Sequence, residues 1–419
     1  MTNETPAATP EHLPGGFFWG SATAGIKASG NPDLAVAVAS PGTIGAAMFT
    51  SNRVAAAPII VGRRHIASTG GRVGAVLVNS GNANCATGEQ GIDGCVSTCA
   101  AAAQAFGCIF DEVIPSSTGI IGVPFPAEKV LAAIPTLKES TGPTPEHAAA
   151  FARAIMTTDT RVKMTGAAFT LPAADSVPER TIHIWGAAKG AGMIGPRLEV
   201  SPGPPHATLL VYLFTDIAAE PADLRAALAA AVQPSFNSIS IDGDTSTNDT
   251  VLLLASGASG VTLTRELTAA FDGALSDVCL SLARQVVADG EGVTHVVTLD
   301  VRGAASEVDA RLVARAIAQS PLCKTAWSSA DPNWGRLIAA AGYSGAEFDP
   351  NRARIWVGTQ PVFEYGGRAA AFDESAAHMA MSAPEYTITI DLGAGEAGTQ
   401  FLTCDLTAEY VRINADYST

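Results

Sequence analysis

The sequence predicts an α/β fold, in the broad sense that includes α+β, with mostly antiparallel strands. Two observations lead there. Short apolar runs alternate with alanine-rich helical stretches along the whole chain. Glycine, proline and polar clusters punctuate these segments, and no pattern recurs with a period of 20 to 50 residues. The chain has 419 residues, 47% of them hydrophobic and only 16% charged. That is enough apolar material for one large core or two domains, and too much for a disordered chain.

Taken in order, VGAVLVNSG (73–81) reads as a strand entering a turn, and GCVSTCAAAAQAFG (94–107) as a helix whose small residues suit close packing. EHAAAFARAIMTTDT (146–160) reads as a helix ending in a polar cluster. ADLRAALAAAVQPSFNSISID gives a helix and then a strand, and LTAAFDGALSDVCLSLARQVVADGEG a long helix stopped by glycines. The last third mixes the strands THVVTLDVRG, RIWVGTQPVFEY and YTITIDLG with a short helix near 310–319. A boundary near residue 290 separates this strand-rich part from the rest. Proline- and glycine-rich breaks fall at 141–145 and 201–205, the second long and stiff enough to lie on the surface.

The formal net charge of -15 argues against nucleic-acid or anionic-membrane partners, which need a basic face. The seven cysteines (Cys85, Cys95, Cys99, Cys108, Cys279, Cys323, Cys404) are odd in number and lack zinc-site spacing, so buried free thiols in a reducing compartment are expected. Met1 to Gly16 has neither a basic n-region nor an apolar core, and no apolar run approaches the ~20 residues that cross a bilayer. A cytoplasmic protein with a loose N-terminal tail is expected.

Four polar, glycine-marked clusters are candidates for chemistry. SSTGIIG (116–122) reads as a turn exposing backbone N–H groups, or as an ordinary serine/threonine turn. TTDTRVK (157–163) is a set of hydroxyls and cations at a helix end, or merely that end. GAAKGAGMIGP (186–196) places Lys189 among glycines but lacks the order of a nucleotide-binding P-loop. DGDTSTNDT (242–250) fails as a calcium loop, with Thr247 at the sixth place and Leu253 at the twelfth, and reads as a polar turn before a strand. No G-x-S-x-G or H-E-x-x-H occurs. A hydroxyl nucleophile carrying its own base remains. In SPGPPHATLLVYLFTD (201–216) a proline-rich loop changes into an apolar strand at Thr208. Were the chain cut before it, Thr208 would gain an α-amine of pKa ~7.7–8.0, partly free base at neutral pH.

The segments GFFWGSATAGIKASG, FTSNRVAAAP, NSGNAN, IMTTDT, AAKGAGMI, ATLL, DGDTSTNDTVLL, DGEG, DPNWGR and INADYST occur in one collinear order. On them the chain resembles the bifunctional ornithine acetyltransferase / glutamate N-acetyltransferase family of arginine biosynthesis, from about Gly16 to Thr419. The resemblance implies a layered sandwich of mostly antiparallel sheets and helices with a smaller strand-rich C-terminal domain. It divides the chain into a tail (1–15), an α chain (16–207), the start of a β chain (208–290) and a C-terminal domain (291–419) whose end returns to the active site. It also implies self-cleavage between Ala207 and Thr208, by attack of the Thr208 hydroxyl on the Ala207 carbonyl and hydrolysis of the resulting ester.

The implied activity is acetyl transfer from N2-acetyl-L-ornithine to L-glutamate through an acetyl-Thr208 ester, with acetyl-CoA open as a second donor. No metal and no bound cofactor is implied, since the acyl group rides on the protein. Thr208 is the nucleophile, Thr118 and Gly119 form the oxyanion hole, and Thr157, Lys189, Thr208, Glu291, Asn414 and Thr419 match substrate-binding positions. The implied assembly is a heterotetramer of two α and two β chains. An amidase or acyltransferase acting on another acyl amine, and an uncleaved non-catalytic paralogue, are the alternatives. Two departures stand out. An insertion of about eight residues, Glu199 to His206, lengthens a connection expected to be short. His295 stands in GEGVTH where the family has lysine.

Overall fold

Strand Leu210–Thr215 shows how the chain is layered. All six of its residues are buried, as in a strand of a sheet covered on both faces. In this computed structural model, which describes residues 12–172, 179–199 and 209–416, it pairs antiparallel with Arg180–Lys189 and parallel with Thr250–Ala255. The full sheet has six strands, ordered Lys163–Leu171, Arg180–Lys189, Leu210–Thr215, Thr250–Ala255, Ile44–Thr50 and Leu198–Glu199.

Side chains alternate across a strand, and each face of this sheet has its own core. Val211, Leu213, Val251, Leu253, Ile182 and Ile184 pack with helices Pro221–Val232 and Thr268–Ala288. Tyr212, Phe214, Leu252, Leu254 and Trp185 face the other way, onto a four-stranded sheet ordered Phe17–Ala22, Leu34–Ala39, Ala75–Asn82 and Val113–Ile120. Edge-on aromatic pairs close the seam, Trp19 on Trp185 at 5.3 Å and Phe17 on Phe214 at 5.1 Å between ring centres, within the preferred range for such pairs.

The outer face of the four-stranded sheet (Leu34, Val36, Ala75, Leu77, Val113) is covered by helices Gly88–Phe106 and Ala127–Glu139. The first packs through Cys95, Cys99, Ala102 and Ala103, spaced one turn apart on one side. Gly107 ends it in the left-handed conformation, φ 72°, with its N–H on the Ala103 carbonyl. The layers therefore run helix, sheet, sheet, helix, which is the layered sandwich expected. Most strand pairings are antiparallel.

A third sheet, of seven strands, occupies mainly the C-terminal part. It is ordered Ile239–Ser240, Ala397–Cys404, Val296–Ala304, Glu385–Asp391, Arg354–Val357, Gln360–Glu364 and Gly367–Arg368. Helices Glu307–Ala318, Pro321–Ser328, Trp334–Gly342 and Glu374–Met381 cover it. All seven cysteines are free, and all but Cys108 are buried. No helix among the described residues is long and apolar enough to cross a membrane.

Two local expectations change. The helix expected over 146–160 is Pro145–Ala154, because the following polar residues bind carboxylates instead of helical carbonyls. The Thr157 N–H donates to Asp159, and those of Thr160 and Arg161 donate to Asp289. SSTGIIG is not a turn throughout, since Ser116 to Ile120 finish strand Val113–Ile120.

Candidate active site

Thr118 and Gly119 sit at the end of the 113–120 strand, parallel to and in register with Ser80 and Gly81. Gly119 has φ +134°, and a Cβ there would lie 2.3 Å from the Gly81 carbonyl carbon, so only glycine fits. Asn248 donates Nδ2 to the carbonyls of Ser117 (2.9 Å) and Ala83 (2.6 Å), which holds this strand end in place.

Lys189 closes strand Arg180–Lys189. It is buried, and its Nζ donates to Thr118 Oγ1 at 3.2 Å. Burial lowers its pKa, while the carboxylates Asp159, Asp249 and Glu291 act in the opposite direction. Beneath it lies a buried charge network. Lys163 Nζ contacts Asp159 Oδ1 at 2.6 Å and Asp289 Oδ2 at 2.5 Å, and the Gly190 N–H also donates to Asp159 Oδ1 at 2.7 Å. Burial works to raise the Asp159 pKa, but the cations Lys163 and Lys189 outweigh it and hold the group well below the usual carboxylate range.

The opposite wall is acidic. The Glu291 N–H donates to the Ala191 carbonyl at 2.9 Å, and a Cβ on Gly192 would overlap the Glu291 carboxylate at 2.5 Å, so glycine leaves it room. Asp242 accepts the N–H groups of Met193 (2.7 Å), Ile194 (2.9 Å) and Asp244 (3.0 Å). Burial pushes its pKa up to about 6. The C-terminal helix Ala408–Asp416 comes back to this wall. Thr407 Oγ1 donates to the Gly292 carbonyl at 2.7 Å, the Tyr410 hydroxyl to Asp242 Oδ2 at 3.2 Å, and Asn414 Nδ2 to Glu291 Oε2 at 2.8 Å.

These walls enclose a cavity of about 200 Å³, below the range of roughly 300–1,000 Å³ usual for drug-sized ligands. Thr118, Gly119, Thr157, Lys189, Glu291 and Asn414, all expected from the sequence, line it together. Thr158, Gly192, Met193, Asp242, Asp244 and Tyr410 complete the lining and were not expected. Ala207, Thr208 and Thr419 lie outside the described residues. The next residue, Leu209, is fully buried, and its N–H donates to Asp249 Oδ1. Leu210 pairs with both Lys189 and Thr250, so the chain re-enters the sheet beside Lys189.

His295 binds Asp405 (Nδ1 to Oδ2, 3.3 Å) and is not among the cavity-lining residues. Among the described residues, no group of three or more His, Cys, Asp or Glu is arranged to hold a metal ion. One cation at the back and carboxylates across from it suit a small zwitterion carrying a carboxylate and an ammonium.

The ArgJ family model matches residues 19–419. The chain is 44% identical to the arginine biosynthesis bifunctional protein ArgJ of Thermus thermophilus, over 97% of this chain and 99% of that one. It is 40% identical to the protein of the same name from Methylococcus capsulatus, over 96% and 95%. Among solved structures, the arginine biosynthesis bifunctional protein argJ of Bacillus halodurans shares 40% identity, covering 49% of this chain and 98% of that chain, with a TM-score of 0.48. The ornithine acetyltransferase of Mycobacterium tuberculosis, complexed with ornithine, shares 33%, covering 45% and 95%, with a TM-score of 0.38.

Proposed function

Because the chain belongs to the ArgJ family, we propose that it moves the acetyl group of N2-acetyl-L-ornithine to L-glutamate through an ester on Thr208. A second activity, acetylation of glutamate from acetyl-CoA, fits the word bifunctional in its relatives' names. The observation that carries the reading is convergence. Thr118, Gly119, Thr157, Lys189, Glu291 and Asn414 come from separate stretches of chain and line one cavity, beside which the chain enters the sheet at Leu209.

In this reading self-cleavage between Ala207 and Thr208 frees the Thr208 amine, which takes the proton from its own hydroxyl. The hydroxyl oxygen attacks the acetyl carbon of acetylornithine, ornithine leaves, and the glutamate amine then attacks the acetyl-threonine ester. The developing oxyanion is met by the Thr118 hydroxyl and the Gly119 N–H. Lys189 supports this arrangement, since the Thr118 oxygen accepts from Lys189 Nζ and its own proton is left to point into the site. Lys189 pairs the substrate carboxylate and Glu291 its ammonium, with Thr157, Asn414 and Thr419 completing the substrate contacts.

The chain then divides into a tail (1–15), an α chain (16–207), and a β chain with a core part (208–290) and a C-terminal domain (291–419). Two α and two β chains form a heterotetramer in the cytoplasm.

The test is turnover of N-acetylornithine with and without glutamate, alongside N-terminal sequencing. Glutamate is expected to accelerate ornithine release and to appear as N-acetylglutamate, and one fragment is expected to begin Thr-Leu-Leu. Hydrolysis that ignores glutamate would mark an amidase instead. Thr208→Ala should give a single full-length chain without turnover; a variant that still transferred acetyl would point to another nucleophile.

A further inference from the structure

The base in that cycle, the amine of residue 208, does not exist before the cut. In the uncut chain this nitrogen is an amide and cannot accept a proton usefully. Cleavage therefore needs another group to deprotonate the hydroxyl. The peptide group immediately downstream of the cut is held by Asp249, whose Oδ1 accepts the Leu209 N–H. Asp249 is fully buried, and its other oxygen, Oδ2, has no hydrogen-bond partner among the described residues. A bare carboxylate oxygen in a protein interior is costly and calls for a reason.

In a trans peptide the N–H lies on the side of the preceding α-carbon. Asp249 holds the N–H of the residue that directly follows the hydroxyl of residue 208 in the chain. We propose that Asp249 is the base of the self-cleavage step, receiving on Oδ2 the proton of the hydroxyl at residue 208; this rests on the reading of Thr208 given above.

The hydroxyl oxygen, its proton passed to Asp249, bonds to the Ala207 carbonyl carbon. As the carbon–nitrogen bond breaks, Asp249 returns the proton to the departing nitrogen, leaving an ester, a primary amine and a carboxylate again. Water then splits the ester, its OH joining Ala207 and its hydrogen the Thr208 oxygen. Burial holds the Asp249 pKa well above the usual carboxylate range, against the Leu209 N–H and the facing cation Lys189, which makes its anion a stronger base than a solvated one. Asn248, the preceding residue, ties the same loop to the oxyanion strand, so the carboxylate cannot drift from the bond it serves.

The experiment follows the 207–208 cut in the full chain over time by denaturing electrophoresis, for wild type, Asp249→Asn and Asp249→Gly, with circular dichroism to verify folding. Wild type should yield two fragments. Both variants should be cut at least about a hundredfold more slowly, the lower end of what a positioned base contributes. Formate, a small free carboxylate, should restore cutting in Asp249→Gly but not in Asp249→Asn. Cutting of either folded variant at the wild-type rate overturns the proposal, and so does a folded glycine variant that formate leaves whole. If only Asp249→Asn folds, its cutting rate decides. A wild-type chain that is never cut sinks the Thr208 reading itself, a result distinct from the other two.

Discussion

Lys189 and Asn414 line the same cavity, yet Lys189 is 3% exposed within a web of fixed charges while Asn414 sits on a surface helix none of whose nine residues is buried. The inner wall is made where strands end: Thr118 and Gly119 on one sheet, Lys189 on the other, braced by Asp159, Lys163 and Asp289. The outer wall is attached through a few polar contacts from Thr407, Tyr410 and Asn414. Groups that must hold a developing charge gain from being pre-positioned in a dry interior. Groups that only admit and retain a small molecule can sit on an element that yields. If this contrast is sound, substitutions on the inner wall should damage stability and rate, and those on the outer wall mainly affinity.

The largest effect is expected at Asp159. Removing one member of a buried ion pair strands its partner, typically at about 3–5 kcal/mol, so Asp159→Asn should lower the thermal midpoint by many degrees. The pH dependence sharpens this. Lys163 and Lys189 depress the folded-state pKa of Asp159, so its contribution is complete above the unfolded value of about 3.9 and is lost as pH falls toward the folded one. Melting curves should show wild type losing stability over that acid range, and the variant, already destabilised, losing less of it. Equal acid slopes for the two would break the idea that this network braces the inner wall.

Next comes Thr118→Ala, which on the proposed mechanism removes one donor to the oxyanion. Turnover should fall roughly 10²–10³-fold with little change in KM, measured as initial rates of ornithine release. A loss confined to KM would move Thr118 to the substrate-holding side of the comparison. The thermal midpoint should shift less than in Asp159→Asn, because the lost partner, Lys189, keeps carboxylates around it.

The two walls were not equally legible in the sequence. Alternation of apolar runs and alanine-rich helices was enough for the layered class, and strand 210–215 announces its double burial by carrying no charge and running apolar up to its last residue, Thr215. Helix Ala57–Ser68 gave no such notice, since no side chain caps its start and its apolar moment is broken by Gly62, Arg63 and Arg64. Local polar clusters marked the stretches that hold Thr118, Gly119, Thr157 and Lys189, but their roles, and the choice of Glu291 and Asn414, came only through the collinear family resemblance. No local pattern joins Asn414 to Glu291, which is 123 residues away, or Lys163 to Asp289, 126 residues away. Asp242 and Asp249 were passed over because 242–250 was tested as a calcium loop and dismissed as a turn. The useful signal there was density: Ser246 to Thr250 are five polar residues in succession, all buried, which a surface turn would not need.

The smallest effect should come from the outer wall. Asn414 is exposed; its Nδ2 donates to Glu291 at 2.8 Å and to the Tyr410 carbonyl of its own helix at 3.0 Å. Exposed to water, both bonds can be replaced by solvent when Asn414→Ala removes them, so stability should be unchanged within about 0.5 kcal/mol. Substrate ammonium would then meet a Glu291 that is no longer oriented. KM should rise a few-fold, kcat should hold, and the cut at 207–208 should proceed as in wild type, because none of the Asp249 contacts involves this helix. Tyr410→Phe, which removes the bond to Asp242, should behave alike but more weakly, since that bond is 3.2 Å long and Asp242 keeps three backbone donors. A large fall in kcat from either change would mean that the C-terminal helix orders the inner wall as well, and the division between a fixed half and a yielding half would have to be abandoned.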